Sequence, residues 1–273
     1  MHPYRYAVLA LFFCIPIASA QNKGPIPDPN LEAAVRASIQ LPQGDLTDEK
    51  LGNLFILEAN KKGIKSLAGL EKCKNLAQLR LTGNEVVDIA PLKDLKNIQS
   101  LDLASNKIKD LAPLTEHKKL QYLELSGNEI EKLEPLAGME ALTSLYLSGN
   151  KIKDLAPLAK LTRLWSLNLG KNQISDLAPL AGLTKISTLE LSENQIKDLA
   201  PLGKMTELNL LLLQKNQIAD LTPLVKSAEA DLAGPKRFAP YLRLYISDNP
   251  LSEDAKMKQL EVLKKIGVKI DPK

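Results

Sequence analysis

From about residue 76 to residue 216 the apolar positions repeat every 22 residues. Each unit opens L-x-x-L-x-L-x-x-N. Leu120, Leu123, Leu125 and Asn128 show it, as do Leu164, Leu167, Leu169 and Asn172. Each closes N-x-I-x-D-L-x-P-L, as in Asn150, Ile152, Asp154, Leu155, Pro157 and Leu158. Two leucines spaced by two lie on one face of a strand, and the residue between them faces the other way. Proline suits the first turn of a helical segment, where its missing N–H has no partner to lose. One unit therefore predicts a short inward-facing strand followed by a turn or 3₁₀ segment. Units this regular stack into a solenoid. The asparagines at 84, 106, 128, 150, 172, 194 and 216 stand where the chain turns inward. Their amides are expected to satisfy backbone groups of neighbouring turns that would otherwise be buried unpaired.

The ends depart from the unit, as a stack with two open faces requires. Asp28-Pro29-Asn30 starts a helical pattern with Leu31, Val35 and Ile39 on one side, and Thr47 caps a second short helix. A degenerate repeat ends at Asn60, leaving a 24-residue step to Asn84. Asn216 to Asn249 is 33 residues, so an insertion, roughly Val225 to Pro240, holds a short helix before Gly234-Pro235. The repeat resumes with Tyr241, Leu244, Ile246 and Asn249. Ser252 then caps a closing helix with Met257, Leu260, Leu263 and Ile266 on one face. Gly267 ends it, and Val268 and Ile270 suggest a last short strand.

Composition adds an address. Arg5, the apolar run Ala7 to Ile17 and the small residues Ala18-Ser19-Ala20 read as an export signal cleaved after Ala20. Bulky Leu11-Phe12-Phe13 before Cys14 does not fit a lipid-attachment motif. The run is shorter than the roughly 20 residues needed to span a bilayer. The organisation expected is 1–20 signal peptide, 21–60 helical cap and degenerate first repeat, 61–224 regular repeats, and 225–273 insertion, last repeat and C-terminal cap. Localisation follows as secreted or periplasmic, with no membrane insertion after cleavage. Cleavage leaves Cys73 as the only cysteine, so stability must come from core burial rather than disulfides. With 36 basic against 32 acidic residues the surface is mixed, which argues against nucleic acid as a partner.

The unit N-x-I-x-D-L-x-P-L, its 22-residue period and the opening Ile26-Pro27-Asp28-Pro29-Asn30-Leu31-Glu32 resemble the internalin-type class of bacterial leucine-rich-repeat proteins. The resemblance runs over about residues 26–270. It implies an α/β repeat solenoid: a right-handed superhelix with a parallel β-sheet on the concave face, a 3₁₀ or turn-rich convex side, and helical N- and C-terminal caps. It does not name a partner, because one scaffold serves unrelated targets.

The outward strand positions vary while the core positions do not, which is what a binding surface needs. Successive repeats offer Gln78, Arg80, Thr82; Ser100, Asp102, Ala104; Tyr122, Glu124, Ser126; Ser144, Tyr146, Ser148; Ser166, Asn168, Gly170; Thr188, Glu190, Ser192; Leu210, Leu212, Gln214; and Arg243, Tyr245, Ser247. Tyr122, Glu124, Tyr146, Trp165, Asn168, Glu190, Leu210, Leu212 and Tyr245 are the candidate contact residues. Tyr and Trp bury large area and keep a polar handle. Eight strands at about 4.8 Å spacing, each exposing about 17 Å, give roughly 580 Å². A standard interface uses roughly 800 Å² per partner, so a tight partner must also touch flanking loops or the insertion.

No catalytic or metal-binding spacing is present, so no cofactor and no metal are expected. His117 stands where other repeats place Leu95, Met139 or Leu161, and reads as a structural histidine. Cys73 reads as a small packed thiol. The aspartates 88, 110, 154, 176, 198 and 220 are expected to accept turn N–H groups and not to hold cations; Lys132 interrupts the series. The function expected is non-catalytic binding of a protein, or a glycan, through the concave face of a monomer. A self-associating structural envelope protein is the alternative, separable by mass in solution.

Overall fold

A computed structural model describes residues 24–234 and 237–271; the export signal expected over residues 1–20 lies outside them. Ten strands form one parallel sheet in chain order. They are β1 (Ile56–Glu58), β2 (Gln78–Arg80), β3 (Ser100–Asp102), β4 (Tyr122–Glu124), β5 (Ser144–Tyr146), β6 (Ser166–Asn168), β7 (Thr188–Glu190), β8 (Leu210–Leu212), β9 (Arg243–Tyr245) and β10 (Lys269–Ile270). The central residue of each strand from β1 to β9 is a leucine with no exposed surface. From Ala90 to Ala200 each convex segment is a 3₁₀ turn opened by an x-Pro-Leu triplet whose leucine is buried. The two leucine sets meet in a single core that runs from cap to cap.

The asparagine ladder is what joins one repeat to the next. Asn150 Oδ1 accepts from the Ile130 N–H at 3.0 Å, in the preceding repeat. Its Nδ2 donates to the carbonyls of Leu125 and Leu147, both at 3.0 Å. Asn106, Asn128, Asn172, Asn194 and Asn216 repeat the arrangement. Asn60 does not belong to it. Strand register pairs Ile56 with Gln78, so the 22-residue step holds into the first repeat. The position equivalent to Asn84 is therefore Lys62, whose N–H is held by Asn84 Oδ1 at 3.0 Å. Asn60 is exposed and accepts from Thr82 N–H instead. The apparent 24-residue step is a coincidence of residue type, because stacking is set by the leucines.

Helix α1 (Pro29–Ser38) buries Leu31 and Val35 against the first repeat, and α2 (Asp48–Gly52) buries Leu51. Thr47 accepts from Lys50 N–H as its N-cap. Gly69 must be glycine: its φ is +97°, and a Cβ there would lie 2.3 Å from the Pro25 carbonyl. The cap thus seats directly on the repeat's backbone.

At the other end α3 (Thr222–Ala233) begins where the other repeats place Ala-Pro-Leu, so the insertion extends a 3₁₀ turn into three turns of α-helix. Buried Asp231 accepts from Arg237, Phe238 and Ala239 N–H groups at 3.0–3.1 Å and ties the returning loop to the helix. Two expectations are corrected here. Tyr241 does not enter the core; it is 62% exposed, because Phe238 and Leu242 fill the space first. Met257 is 71% exposed. Three-residue steps lag a 3.6-residue turn by about 60° each, which carries Met257 off the face of Leu263. A π turn at Ala255–Gln259 then brings Ala255 inward ahead of α4 (Leu260–Ile266). Gly267, at φ +110°, ends the helix. No helix among the described residues is long and apolar enough to cross a membrane.

Candidate functional site

Strand register lines up most of the candidate contact residues. Glu124, Tyr146, Asn168, Glu190, Leu212 and Tyr245 form one row, each directly opposite the next, from β4 to β9. Tyr122 and Leu210 lie in the neighbouring row, two residues earlier on their strands. Trp165 precedes β6 and is 53% exposed at the border of the sheet. It forms no ring contact with the tyrosines, whereas Tyr122 and Tyr146 do: their centroids are 5.5 Å apart and tilted by 46°.

The tyrosine pair alters its surroundings. Ser144 and Ser166, expected to be open, are buried. The Ser166 hydroxyl donates to the Tyr146 oxygen at 3.2 Å. Small residues beside large rings lose their own solvent contact, so alternation alone overstates the accessible face. Burial, with the nearby carboxylates of Glu124 and Asp102, pushes the Tyr122 hydroxyl up to about 12. Burial also raises Glu124, assisted by the Asp102 charge and opposed by hydrogen bonds from Ser126.

Several polar members of the row have a structural task that alternation did not show. Asp102, Glu124, Asn168 and Glu190 each accept the N–H two residues ahead, at Ala104, Ser126, Gly170 and Ser192, at 2.7–3.1 Å. There the chain leaves the ladder and frees a donor. Glu190 also accepts from the Ser192 hydroxyl. These side chains are consequently held in fixed orientations before any partner arrives.

Other chemistry sits away from this face. Cys73 and His117 share one buried core row with Leu95, Met139, Leu161, Leu183 and Met205. Burial, then the Glu71 charge, pushes the Cys73 thiol up to about 11. His117 is fully buried and neither ring nitrogen has a hydrogen-bond partner. Burial holds its pKa below the ordinary 6.5, and the Lys96 charge acts in the same direction. Below pH 6.5 the unfolded chain takes up a proton that the folded chain refuses, so stability falls as pH drops. His117→Leu should therefore stabilise the protein by about 1–2 kcal/mol at pH 7.5, by removing an unpaired buried polar group. The gain should widen between pH 6.5 and pH 5. Urea midpoints at both pH values test this; equal or lower stability in the variant contradicts it.

The convex aspartates accept the N–H two residues ahead, as with Asp154 to Ala156 and Asp176 to Ala178, both at 2.8 Å. Hollows of about 430 and 560 Å³ flank the repeat in which Lys132 replaces that aspartate. They are lined by charges of both signs and lie apart from the tyrosine row.

Comparison with known proteins agrees with this geometry. Leucine-rich-repeat family models match residues 96–152 and, as a two-copy unit, 140–182. No curated protein sequence gives a significant match. Internalin C2 from Listeria monocytogenes is 36% identical, with a TM-score of 0.72 over 73% of this chain and 89% of that one. The functional domain of internalin J from Listeria monocytogenes is 24% identical, with a TM-score of 0.67 over 88% and 54%. A Leptospira interrogans leucine-rich-repeat protein is 22% identical, with a TM-score of 0.70 over 82% and 62%; these last two share the fold. With more than a third of the aligned residues identical over 89% of internalin C2, this chain belongs to the internalin-type leucine-rich-repeat family.

Proposed function

We propose that this chain is an exported, non-catalytic binding protein that engages a protein partner through its concave face. The observation that carries the reading is the tyrosine pair. Tyr122 and Tyr146 hold a preformed aromatic contact among outward residues that from β3 to β7 are otherwise small or polar, on a scaffold whose inward residues hardly vary. Rigid aromatic anchors on a fixed framework lose little entropy on binding and bury much area. Glu124, Asn168 and Glu190, already oriented by backbone N–H groups, supply polar contacts around them. Leu210, Leu212 and Tyr245 extend the face across β8 and β9 toward the C-terminal end of the sheet.

Tyr122→Ala/Tyr146→Ala should weaken the partner's affinity at least tenfold, while Tyr122→Phe/Tyr146→Phe should retain most of it. Retention from envelope and culture-medium extracts on immobilised mature protein and both variants measures this. Retention within a factor of two by the alanine variant would move the site to α3 or the convex side. The protein acts as a monomer in this reading, and sedimentation should give a single species near the mass of one chain.

A further inference from the structure

We infer that the concave face accepts an extended segment of a cationic partner protein: a lysine or arginine seated over Asp102, Glu124 and the Tyr122–Tyr146 pair, and an apolar side chain about six residues away over Leu210 and Leu212. This rests on the concave-face reading above and names its partner's chemistry.

Charge segregation is the first ground. The chain as a whole is basic, with a net charge of +4. Its flanks are laced with ion pairs, such as Lys107–Glu85 at 3.0 Å, Lys151–Glu129 at 3.2 Å and Lys171–Glu193 at 3.7 Å. From β3 to β8, however, no outward strand position and no residue two beyond it is lysine or arginine. Asp102, Glu124 and Glu190 stand there without a cationic partner among the described residues. Arg80, opposite Asp102 in register, donates instead to Glu58 at 3.0 Å. Arg243 is six strands from Asp102 and five from Glu124, about 29 and 24 Å, well beyond the screening length in physiological salt.

Placement is the second ground. Asp102 and Glu124 are direct register partners on adjacent strands, so two acidic side chains leave the same face side by side, from backbones about 4.8 Å apart. A cation between them relieves their mutual repulsion and can also rest on an aromatic ring. Their oxygens are oriented beforehand: Asp102 Oδ1 holds the Thr82 hydroxyl at 2.6 Å and the Ala104 N–H at 3.1 Å, while Asp102 Oδ2 makes no hydrogen bond among the described residues. Glu124 on β4 and Leu212 on β8 are four strand spacings apart, about 19 Å, which an extended chain covers in about six residues.

The test uses synthetic peptides carrying an Arg pair and a Leu pair separated by two, six or ten Gly/Ser residues, with matched peptides in which Glu replaces Arg. Trp165, the only tryptophan, reports binding from the border of the face. Titration to millimolar peptide in low salt should show the six-residue Arg peptide binding at least fivefold tighter than its Glu counterpart. Asp102→Asn/Glu124→Gln should reduce that preference to within twofold with an unchanged melting temperature. Glu140→Gln, on the exposed flank, should leave it intact. No binding, equal binding of Arg and Glu peptides, or a preference that survives in Asp102→Asn/Glu124→Gln overturns the inference. A natural partner lost with the tyrosine pair, together with no charge preference, would leave the concave-face reading standing and remove only its cationic partner. A natural partner that the tyrosine variant retains would remove both.

Discussion

Asn150→Ala should cost about 3–5 kcal/mol. The side chain makes three bonds within the core, and their loss is unequal. The Leu125 carbonyl also accepts from Asn128, and the Leu147 carbonyl also accepts from Asn172. Each would keep one partner. The Ile130 N–H has only Asn150 Oδ1 and would be left buried and unpaired. An orphaned buried donor costs about 1–3 kcal/mol, and the two lost carbonyl bonds add about 1 kcal/mol each. Because a solenoid is held mainly by nearest-neighbour coupling, the damage should concentrate between the repeats of β4 and β5. Equilibrium urea unfolding should show a lower midpoint and a broadened or split transition. Asn150→Asp should be nearly as damaging, since its second oxygen would face two carbonyls. Asn60→Ala, which removes one exposed bond, should cost under about 1 kcal/mol. A loss below about 1 kcal/mol at Asn150 would show that the ladder is not what couples the repeats.

The contrast between Asn150 and Asn60 shows what was legible in the sequence and what was not. Regular spacing identified the strands, the inward leucines, the asparagine ladder and the x-Pro-Leu turns, because each is a local consequence of a short unit repeated in register. Letters without that spacing misled. Asn60 matched the residue type, but the leucines around it set the register and put Lys62 in the ladder position. Tyr241 matched a core position by count, yet the loop tied down by Asp231 delivers Phe238 and Leu242 to the core ahead of it. Met257 failed because a three-residue step is not a helical period and a π turn intervenes.

The concave face was legible as a set of rows and not as a landscape. Period-two alternation placed the candidate residues on one face, and register then joined most of them into one line. Alternation could not show that the tyrosines would touch, that Ser144 and Ser166 would lose their exposure, or that Trp165 would stand apart at the border. Those outcomes depend on where long side chains lean across strands. Nor could it show that Asp102, Glu124, Asn168 and Glu190 double as acceptors for N–H groups freed at the strand ends, since that need arises from the three-dimensional bend of the chain.

Asp28→Ala should cost about 2–3 kcal/mol and release the N-terminal cap without unfolding the central repeats. Asp28 Oδ1 accepts from the Asn30 and Leu31 N–H groups at 3.0 and 3.1 Å, and so caps α1. Its Oδ2 accepts from the Lys65 and Ser66 N–H groups at 2.8 and 3.1 Å, in the first repeat. One carboxylate thus serves two chain segments some 37 residues apart. Loss of an N-cap costs about 1 kcal/mol, and the two further charge-assisted bonds account for the remainder. Burial alone would raise its pKa, but the four N–H groups outweigh burial and hold it below the ordinary 3.8. A folded-state pKa below the unfolded one contributes stability that is complete above about pH 4–5 and is lost as pH falls through the folded value. The difference between the native protein and Asp28→Ala should therefore be constant near neutrality and shrink below about pH 3.8. Taking the difference cancels the other acidic groups. Hydrogen exchange supplies the spatial check. Amides of α1 and the first repeat should exchange faster in the variant, and those from β4 to β8 should not change, because each repeat answers mainly to its neighbours. Uniform acceleration along the whole sheet would mean that the cap stabilises the stack globally. An unchanged α1 would mean that the seating of Pro25 and Ile26 on Gly69 and the burial of Leu31 and Val35 suffice without the carboxylate.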